Sequence, residues 1–340
     1  MTTQTRDKVM RSRAVAPPGP RPPADQGLPG GGGQPDRRER FTKHTPAGET
    51  VLAYLSTQAG RLKVLDPEVR RERPDAVHQM RVAVRRLRAA LQAFTEIVSG
   101  PETEHLRAEL KWLGGVLGEA RDTEVLVSYL HGNLAAVPTE LVLGPAQARV
   151  TAHFAPFEGS RRKAVLDALD SERYQELRAE LGRLLDNPPL APRAAEPAGA
   201  VLPLAVGRAY RRTRRRMRRA RQAPAGQQRD VALHETRKAA KRARYAAEAA
   251  TPALGRKAGK KARRFAKSMK EVQSVLGAHQ DAVIARAAAR DIGVHAHLAG
   301  ENAFSFGLLQ DRAHHQALAC EEQTPRVWRR ARRKARWLPA

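Results

Sequence analysis

Between residues 48 and 338, apolar side chains recur at intervals of three and four, and no stretch alternates apolar and polar residues with period two. Leu, Ala, Arg and Glu dominate this region, and the pattern predicts helices throughout. The segment from His78 to Phe94 shows it most clearly. At about 100° per residue, Met80, Val84, Leu87, Leu91 and Phe94 fall at about 160–240° from His78. His78, Arg81, Arg85 and Arg88 fall on the opposite side, in a stripe about 80° wide. One face suits a core and the other is a row of cations.

Two breaks interrupt the helical pattern. Ala14–Pro35 holds most of a Pro/Gly tract with almost no large apolar side chain, so it cannot offset its own ordering entropy. Residues 1–47 are therefore expected to be disordered. Asn187–Pro197 is a second Pro-rich segment, near the middle of what remains. The two halves on either side of it repeat one another. Ala53-Tyr54 and His78 recur as Ala209-Tyr210 and His234 at an offset of 156. Lys111 and Leu117-Gly118-x-x-x-Asp122 recur as Lys270 and Leu276-Gly277-x-x-x-Asp281 at 159, and Gly144-x-x-Gln147-x-Arg149 as Gly307-x-x-Gln310-x-Arg312 at 163. The order is kept and the offset grows slowly, as loop insertions would produce. The expected fold is all-α, a tandem duplication of a four-helix-bundle unit with pseudo-twofold symmetry plus short accessory helices. The first repeat spans 48–186, a linker 187–199, and the second repeat 200–338.

Composition narrows the function classes. The 340 residues include 41% hydrophobic ones, enough for a real core. No run approaches a membrane span and Met1–Arg13 has no hydrophobic signal region, so a soluble, cytoplasmic protein is expected. The single cysteine, Cys320, excludes a disulfide framework and a Cys-based zinc site. The formal net charge of +27 calls for an anionic partner. It is concentrated rather than spread: Arg208–Lys270 carries +20 and Arg326–Ala340 carries +7, leaving the rest neutral overall. The segment Arg208–Arg221 alone holds nine Arg, of which Arg211, Arg214, Arg215 and Arg218 are candidates to face an anion.

The cationic stripe occurs twice. His78, Arg81, Arg85, Arg86 and Arg88 recur in type as His234, Arg237, Lys241, Arg242 and Arg244, with Lys238 as a further cation in the second copy. Like charges at i,i+3 and i,i+4 destabilise a bare helix by roughly 0.2–0.5 kcal/mol per pair. A row of four without interleaved acids costs stability unless an anion neutralises it. A solvated basic face is the bland alternative, and repetition on two equivalent helices favours a ligand-binding stripe.

These residues resemble the CHAD family, the conserved histidine α-helical domain, over roughly residues 48–338. Both His-x-x-Arg-x-x-x-basic-basic-x-Arg copies and both Leu-Gly-x-x-x-Asp segments carry the resemblance. It implies two pseudo-symmetric four-helix bundles and binding of inorganic polyphosphate in a basic channel or surface between the halves. It also implies ligand contacts from both stripes, from Lys111 and Lys270, and from Arg121, whose place in the second half is taken by Gln280. Some family members follow a triphosphate-tunnel domain marked by Glu-x-Glu-x-Lys. No such motif occurs here, so hydrolysis is not expected to transfer and the protein is expected to bind without catalysis, with no cofactor or metal.

Two rival classes remain. Nucleic acid would be drawn by the same charge, although single-strand binders add aromatic platforms and only Tyr210, Tyr245 and Phe265 lie in the basic helices. Weak nonspecific binding of duplexes stays open on electrostatics alone. An enzyme built on His78 or His234 is disfavoured as a metal site by the surrounding cations. Asp122 and Asp281 read more readily as helix caps or internal partners of Arg, and His295/His297 and His314/His315 lack ligands at metal spacing. Trp328 and Trp337 fall about 180° apart on a helix, so the C-terminal segment is a packing helix or an anion clamp rather than a membrane-surface helix.

Overall fold

A computed structural model describes residues 41–339 of the chain, and among these the expected helical periodicity is realised without a strand. The helices are α1 (Ala47–Arg70), α2 (Ala76–Ala93), α3 (Pro101–Ala135), α4 (Ala146–Asp170), α5 (Glu172–Asp186), α6 (Ala198–Gln222), α7 (Gln227–Ala250), α8 (Gly255–Leu298) and α9 (Phe304–Lys334). Local chemistry sets several boundaries. Pro101 opens α3, where its fixed φ suits the first turn and its missing N–H would have no partner anyway. Ser171 ends α4 and caps α5, its hydroxyl accepting from the Tyr174 N–H at 3.3 Å.

The predicted apolar face of α2 is the centre of the main core: Met80, Val84, Leu87, Leu91 and the adjoining Phe94 are all buried. α2 packs on α1, α3 and α7, and α7 in turn packs on α6 and α8. The core face of α7 is built from Ala240, Ala243, Ala246, Ala247 and Ala250, small side chains that let its neighbours approach the backbone closely. A second, smaller core joins the end of α3 and the start of α4 to the last turns of α8 and the first of α9, with Leu130, Val150, Ile292 and Phe306 at its centre. The two longest helices, α3 and α8, run through both cores. The sequence α1–α2–α3 is thus followed by α6–α7–α8 with the same pairing of neighbours. The halves then diverge: α4 and α5 are separate helices, whereas α9 is continuous.

Residues 187–199 are a packed strap with Ala194 and Ala198 buried. The Ser99 N–H donates to the Pro189 carbonyl at 3.0 Å, and the Ala191 N–H to the Ile97 carbonyl at 3.0 Å. The N–H groups of Ala198 and Gly199 donate to the carbonyls of Thr45 (2.8 Å) and Lys43 (2.9 Å). Residues 41–47, expected within the disordered tract, are therefore ordered by main-chain pairing, which a composition argument does not see. The remainder of that tract, residues 1–40, lies outside the described residues. No helix among the described residues is long and apolar enough to cross a membrane.

This seam tests directly. A Cβ at Gly199 would lie 2.9 Å from Lys43 Cβ and 3.0 Å from its carbonyl oxygen, whereas one at Gly182 in α5 meets nothing within 4 Å. Gly199→Ala is expected to lower unfolding free energy by about 1–3 kcal/mol in urea. Gly182→Ala is expected to raise it by up to about 1 kcal/mol.

Candidate functional site

Packing α2 against α7 brings the two cationic stripes together, and the Leu-Gly-x-x-x-Asp segments of α3 and α8 back them. Gly118 makes room for Arg81: a Cβ there would lie 3.4–3.5 Å from the guanidinium. One turn on, Asp122 takes that guanidinium, Arg81 Nη1 donating to Oδ1 at 2.8 Å and Nη2 to Oδ2 at 3.3 Å. Gly277 stands in the same relation to Arg237, with a Cβ 3.4 Å from Nε and Nη2. Asp281, one turn on, is an opposite charge to Arg237. The motif is thus a seat for an arginine, and both aspartates sit inside helices, as internal partners of Arg rather than as caps.

Around these seats Arg237 and Lys241 each feel Arg81 and Arg85, with Asp122 as a counter-charge to Arg81, Arg237 and Lys241 and Asp281 beside Arg237 and Lys241. Burial, reinforced by Arg237, Arg85 and Arg81, holds the Lys241 ammonium well below the usual lysine range. Burial raises the Asp281 carboxyl, against the pull of Arg237. His78 and His234 stand half-buried at the heads of the two stripes. Burial also lowers the His234 imidazole; Gln280, at the place taken by Arg121 in the first half, hydrogen-bonds it and opposes that shift, while Lys238 and Arg237 add to it.

The far ends of the stripes form a rim. Arg242 lies beside Arg212, Arg88 and Arg216, and Arg88 beside Arg107; both Arg242 and Arg88 are lowered by burial first and by those cations next. Glu235 is the rim's main acid. Lys238 hydrogen-bonds it and Arg216 approaches it at 3.7 Å. Arg212 and Arg216 were not legible as members of this rim, because the arginine-rich α6 has cations on every face and the sequence does not say which face meets α7; Arg107, a lone arginine in the first turns of α3, belongs to neither repeated motif.

Several of the other candidate residues lie outside this cluster. Arg244 is buried and turns inward: its Nε lies 3.1 Å from Glu248 and its guanidinium 4.5 Å from the Tyr245 ring centre. Arg86 approaches Glu248 at 3.8 Å and the same ring at 5.8 Å. Arg85 Nε donates to the Tyr245 hydroxyl at 2.9 Å, so Tyr245 joins the stripe to this internal knot. Tyr54 belongs to the knot as well, and burial raises its hydroxyl. Arg121 pairs within α3 to Glu124 at 2.6 Å. Arg211 donates to the Pro339 carbonyl at 3.3 Å, while Arg214 is exposed near Tyr210, which Arg332 of α9 also approaches. Arg215, Arg218 and Lys111 are exposed. Lys270 lines an open pocket of about 310 Å³ with Arg263, Lys267 and Glu248. Tyr210 stacks edge-on against Phe265 at 5.7 Å and beside buried Trp328 at 6.0 Å, so these rings are core residues and the C-terminal segment is a packing helix.

The division between internal and outward arginines has a measurable consequence. Glu248→Ala removes the acid that both Arg86 and Arg244 face, and is expected to cost roughly 1–3 kcal/mol in urea unfolding. Arg214→Ala is expected to stay within about 0.5 kcal/mol.

Comparison with known proteins agrees with this architecture. Two Mycobacterium tuberculosis proteins, MT2285 of strain CDC 1551 / Oshkosh and Rv2226 of strain ATCC 25618 / H37Rv, are each 36% identical over 303 residues, 86% of this chain. The chain spans 55% of their length. PptA from Streptomyces chartreusis shares the fold at a TM-score of 0.67 and 22% identity, over 84% of this chain and 100% of that one. The crystal structure of the CHAD domain from the plant Ricinus communis does so at 0.65 and 24% identity, over 88% and 97% of the two chains. The CHAD domain family matches residues 53–290, the whole of the α2–α7 cation cluster and both of its arginine seats, and the chain belongs to that family.

Proposed function

We propose that this chain binds inorganic polyphosphate, without hydrolysing it, at the cation cluster where α2 packs on α7. The observation that carries this reading is the excess of cations that the fold holds together there: Arg81, Arg85, Arg237 and Lys241 against Asp122 and Asp281, continued by Arg88, Arg107, Arg212, Arg216 and Arg242. Polyphosphate carries charge on every phosphate and has no bases. It is served by rows of planar arginine donors and needs neither stacking rings nor base-edge readers. The aromatic residues of the basic helices are taken up by core packing or by arginine contacts, which leaves no platform for single-stranded nucleic acid.

In this reading Arg81, Arg85, Arg237, Lys241 and the two histidines form the inner contact, and Arg88, Lys238 and Arg242 the rim. Arg211, Arg214, Arg215, Arg218, Lys111 and Lys270 attract the chain at longer range. Arg86 and Arg244 position the stripes through Glu248 and Tyr245. Association with polyphosphate granules in the cytoplasm belongs to the same proposal.

Calorimetry with polyphosphates of graded length is expected to give affinity that rises with length and falls steeply with salt. Orthophosphate is expected to bind negligibly and duplex DNA much more weakly; equal affinity for DNA at matched charge and salt would overturn the assignment. No orthophosphate should be released over hours with a divalent metal present, and steady release would make the protein an enzyme. Reversing Arg85 and Lys241 together (R85E, K241E) is expected to weaken binding more than reversing Arg329 and Arg330 (R329E, R330E). Equal loss would move the site to the tail.

Protonation supplies an independent test. Lys241 and His234 are held below their ordinary values in the free protein, chiefly by burial, and a bound polyanion favours their charged forms. Binding near neutral pH should therefore take up protons, visible as a dependence of the calorimetric enthalpy on the ionisation enthalpy of the buffer. The protonated Lys241 is worth less in the fold than in the unfolded chain. That penalty is complete below the folded value and disappears as pH rises to the ordinary lysine value. Lys241→Met should accordingly raise Tm at pH 7 while weakening polyphosphate binding roughly tenfold, the loss of one charge-assisted hydrogen bond of about 1.5 kcal/mol.

A further inference from the structure

Away from the cation cluster, three side chains from three helices converge on one point. Asp230 sits in the first turn of α7, His279 midway along α8 and Glu321 on α9. His279 is 1% exposed, and neither ring nitrogen has a hydrogen-bond partner. Its Nε2 lies 3.3 Å from Asp230 Oδ1 and 3.6 Å from Glu321 Oε1, and the three donor atoms lie within 4.8 Å of one another. The outer carboxylate oxygens are already held. Arg286 Nη2 donates to Asp230 Oδ2 at 3.2 Å, and Arg229 Nη1 donates to Glu321 Oε2 at 3.1 Å. Arg229 is itself anchored by two donations to the Ala223 carbonyl, at 3.1 and 2.9 Å.

A buried imidazole with unmet ring nitrogens is costly, and a direct charge-assisted bond to a carboxylate would be shorter, about 2.7–2.9 Å. Ligands bound to one metal ion at about 2.0–2.2 Å in tetrahedral array stand about 3.3–3.6 Å apart. The 3.3 and 3.6 Å separations from His279 match that spacing. One nitrogen and two carboxylate oxygens, each carboxylate oriented through its other oxygen by an arginine, are a ligand set with its supporting shell in place. From this geometry we propose that Asp230, His279 and Glu321 bind one divalent transition-metal ion of the zinc class, with a fourth position left for water.

The ion would clip α7, α8 and α9 together one turn before His234, since Asp230 and His234 are four residues apart on α7. It belongs to the second half alone: Leu276-Gly277-Ala278-His279 has Leu117-Gly118-Glu119-Ala120 as its first-half counterpart. The role assigned to it is positioning the helix that carries the second cation stripe, not chemistry on a ligand.

The full chain, stripped with chelator and free of polyphosphate, is titrated with Zn(II) against a chromophoric indicator and with Co(II) by visible absorption. One equivalent of Zn(II) at micromolar affinity or tighter is expected, with Co(II) showing the absorption of a four-coordinate site. His279→Gln and Glu321→Gln should each weaken Zn(II) at least tenfold while His314→Ala/His315→Ala does not, circular dichroism reporting that each variant is folded. If His279→Gln does not fold, Glu321→Gln, at the partly exposed position, decides alone. A folded wild-type chain that takes up no equivalent of Zn(II) would leave the three side chains as a purely structural contact between helices. Variants that bind as wild type would place the metal elsewhere. Either result overturns the proposal, and neither bears on the polyphosphate reading, because no polyphosphate is present.

Discussion

Two rows of like charge meet where α2 packs on α7, and the fold must hold them there against their own repulsion. The burial on their opposite faces does so. Each large apolar side chain fully buried contributes about 1.5–3 kcal/mol, against roughly 0.2–0.5 kcal/mol for each like-charge pair along a helix. With Met80, Val84, Leu87 and Leu91 beneath one row and the alanines of α7 beneath the other, packing wins by a wide margin. The cations are therefore left in place, half-desolvated and under-neutralised, a state that an anion improves and water alone does not.

The acids are arranged to position this excess without cancelling it. Asp122 and Asp281 seat one arginine each, and Gly118 and Gly277 remove the side chain that would otherwise occupy the guanidinium's place. Glu248 is spent inside, on Arg86 and Arg244, where it fixes the rotation of both helices through Tyr245. Asp230 and Glu321 stand apart with His279 and face arginines only through their outer oxygens. The second half thus carries most of the positive charge and also the one buried His–carboxylate cluster found among the described residues.

Much of this is legible in the sequence. The apolar stripe of α2 fell on the expected residues because a helix facing a core leaves a period that survives in the sequence. The paired stripes and the paired Leu-Gly-x-x-x-Asp segments were visible because each occupies a few turns of one helix. Arg244 shows where that reading stops. It lies in the second stripe by helical angle, yet Glu248, one turn further along, and Tyr245 draw it inward, and angle alone does not distinguish a ligand-facing arginine from a buried one. The nine arginines of α6 show the same limit. Arg212 and Arg216 reach Arg242 and Arg214 does not, a matter of which face meets α7.

The sequence by itself determined the helices, the repeated cationic motif and the segregation of charge, since periodicity, local spacing and composition are properties of neighbouring residues. Tertiary structure alone decided which cations cluster where α2 meets α7, that the Pro-rich linker is a strap bonded to residues 43–45, and that Asp230, His279 and Glu321 meet although they are 49 and 42 residues apart. Those are contacts between helices, and the packing of their faces, which no local pattern encodes, sets them.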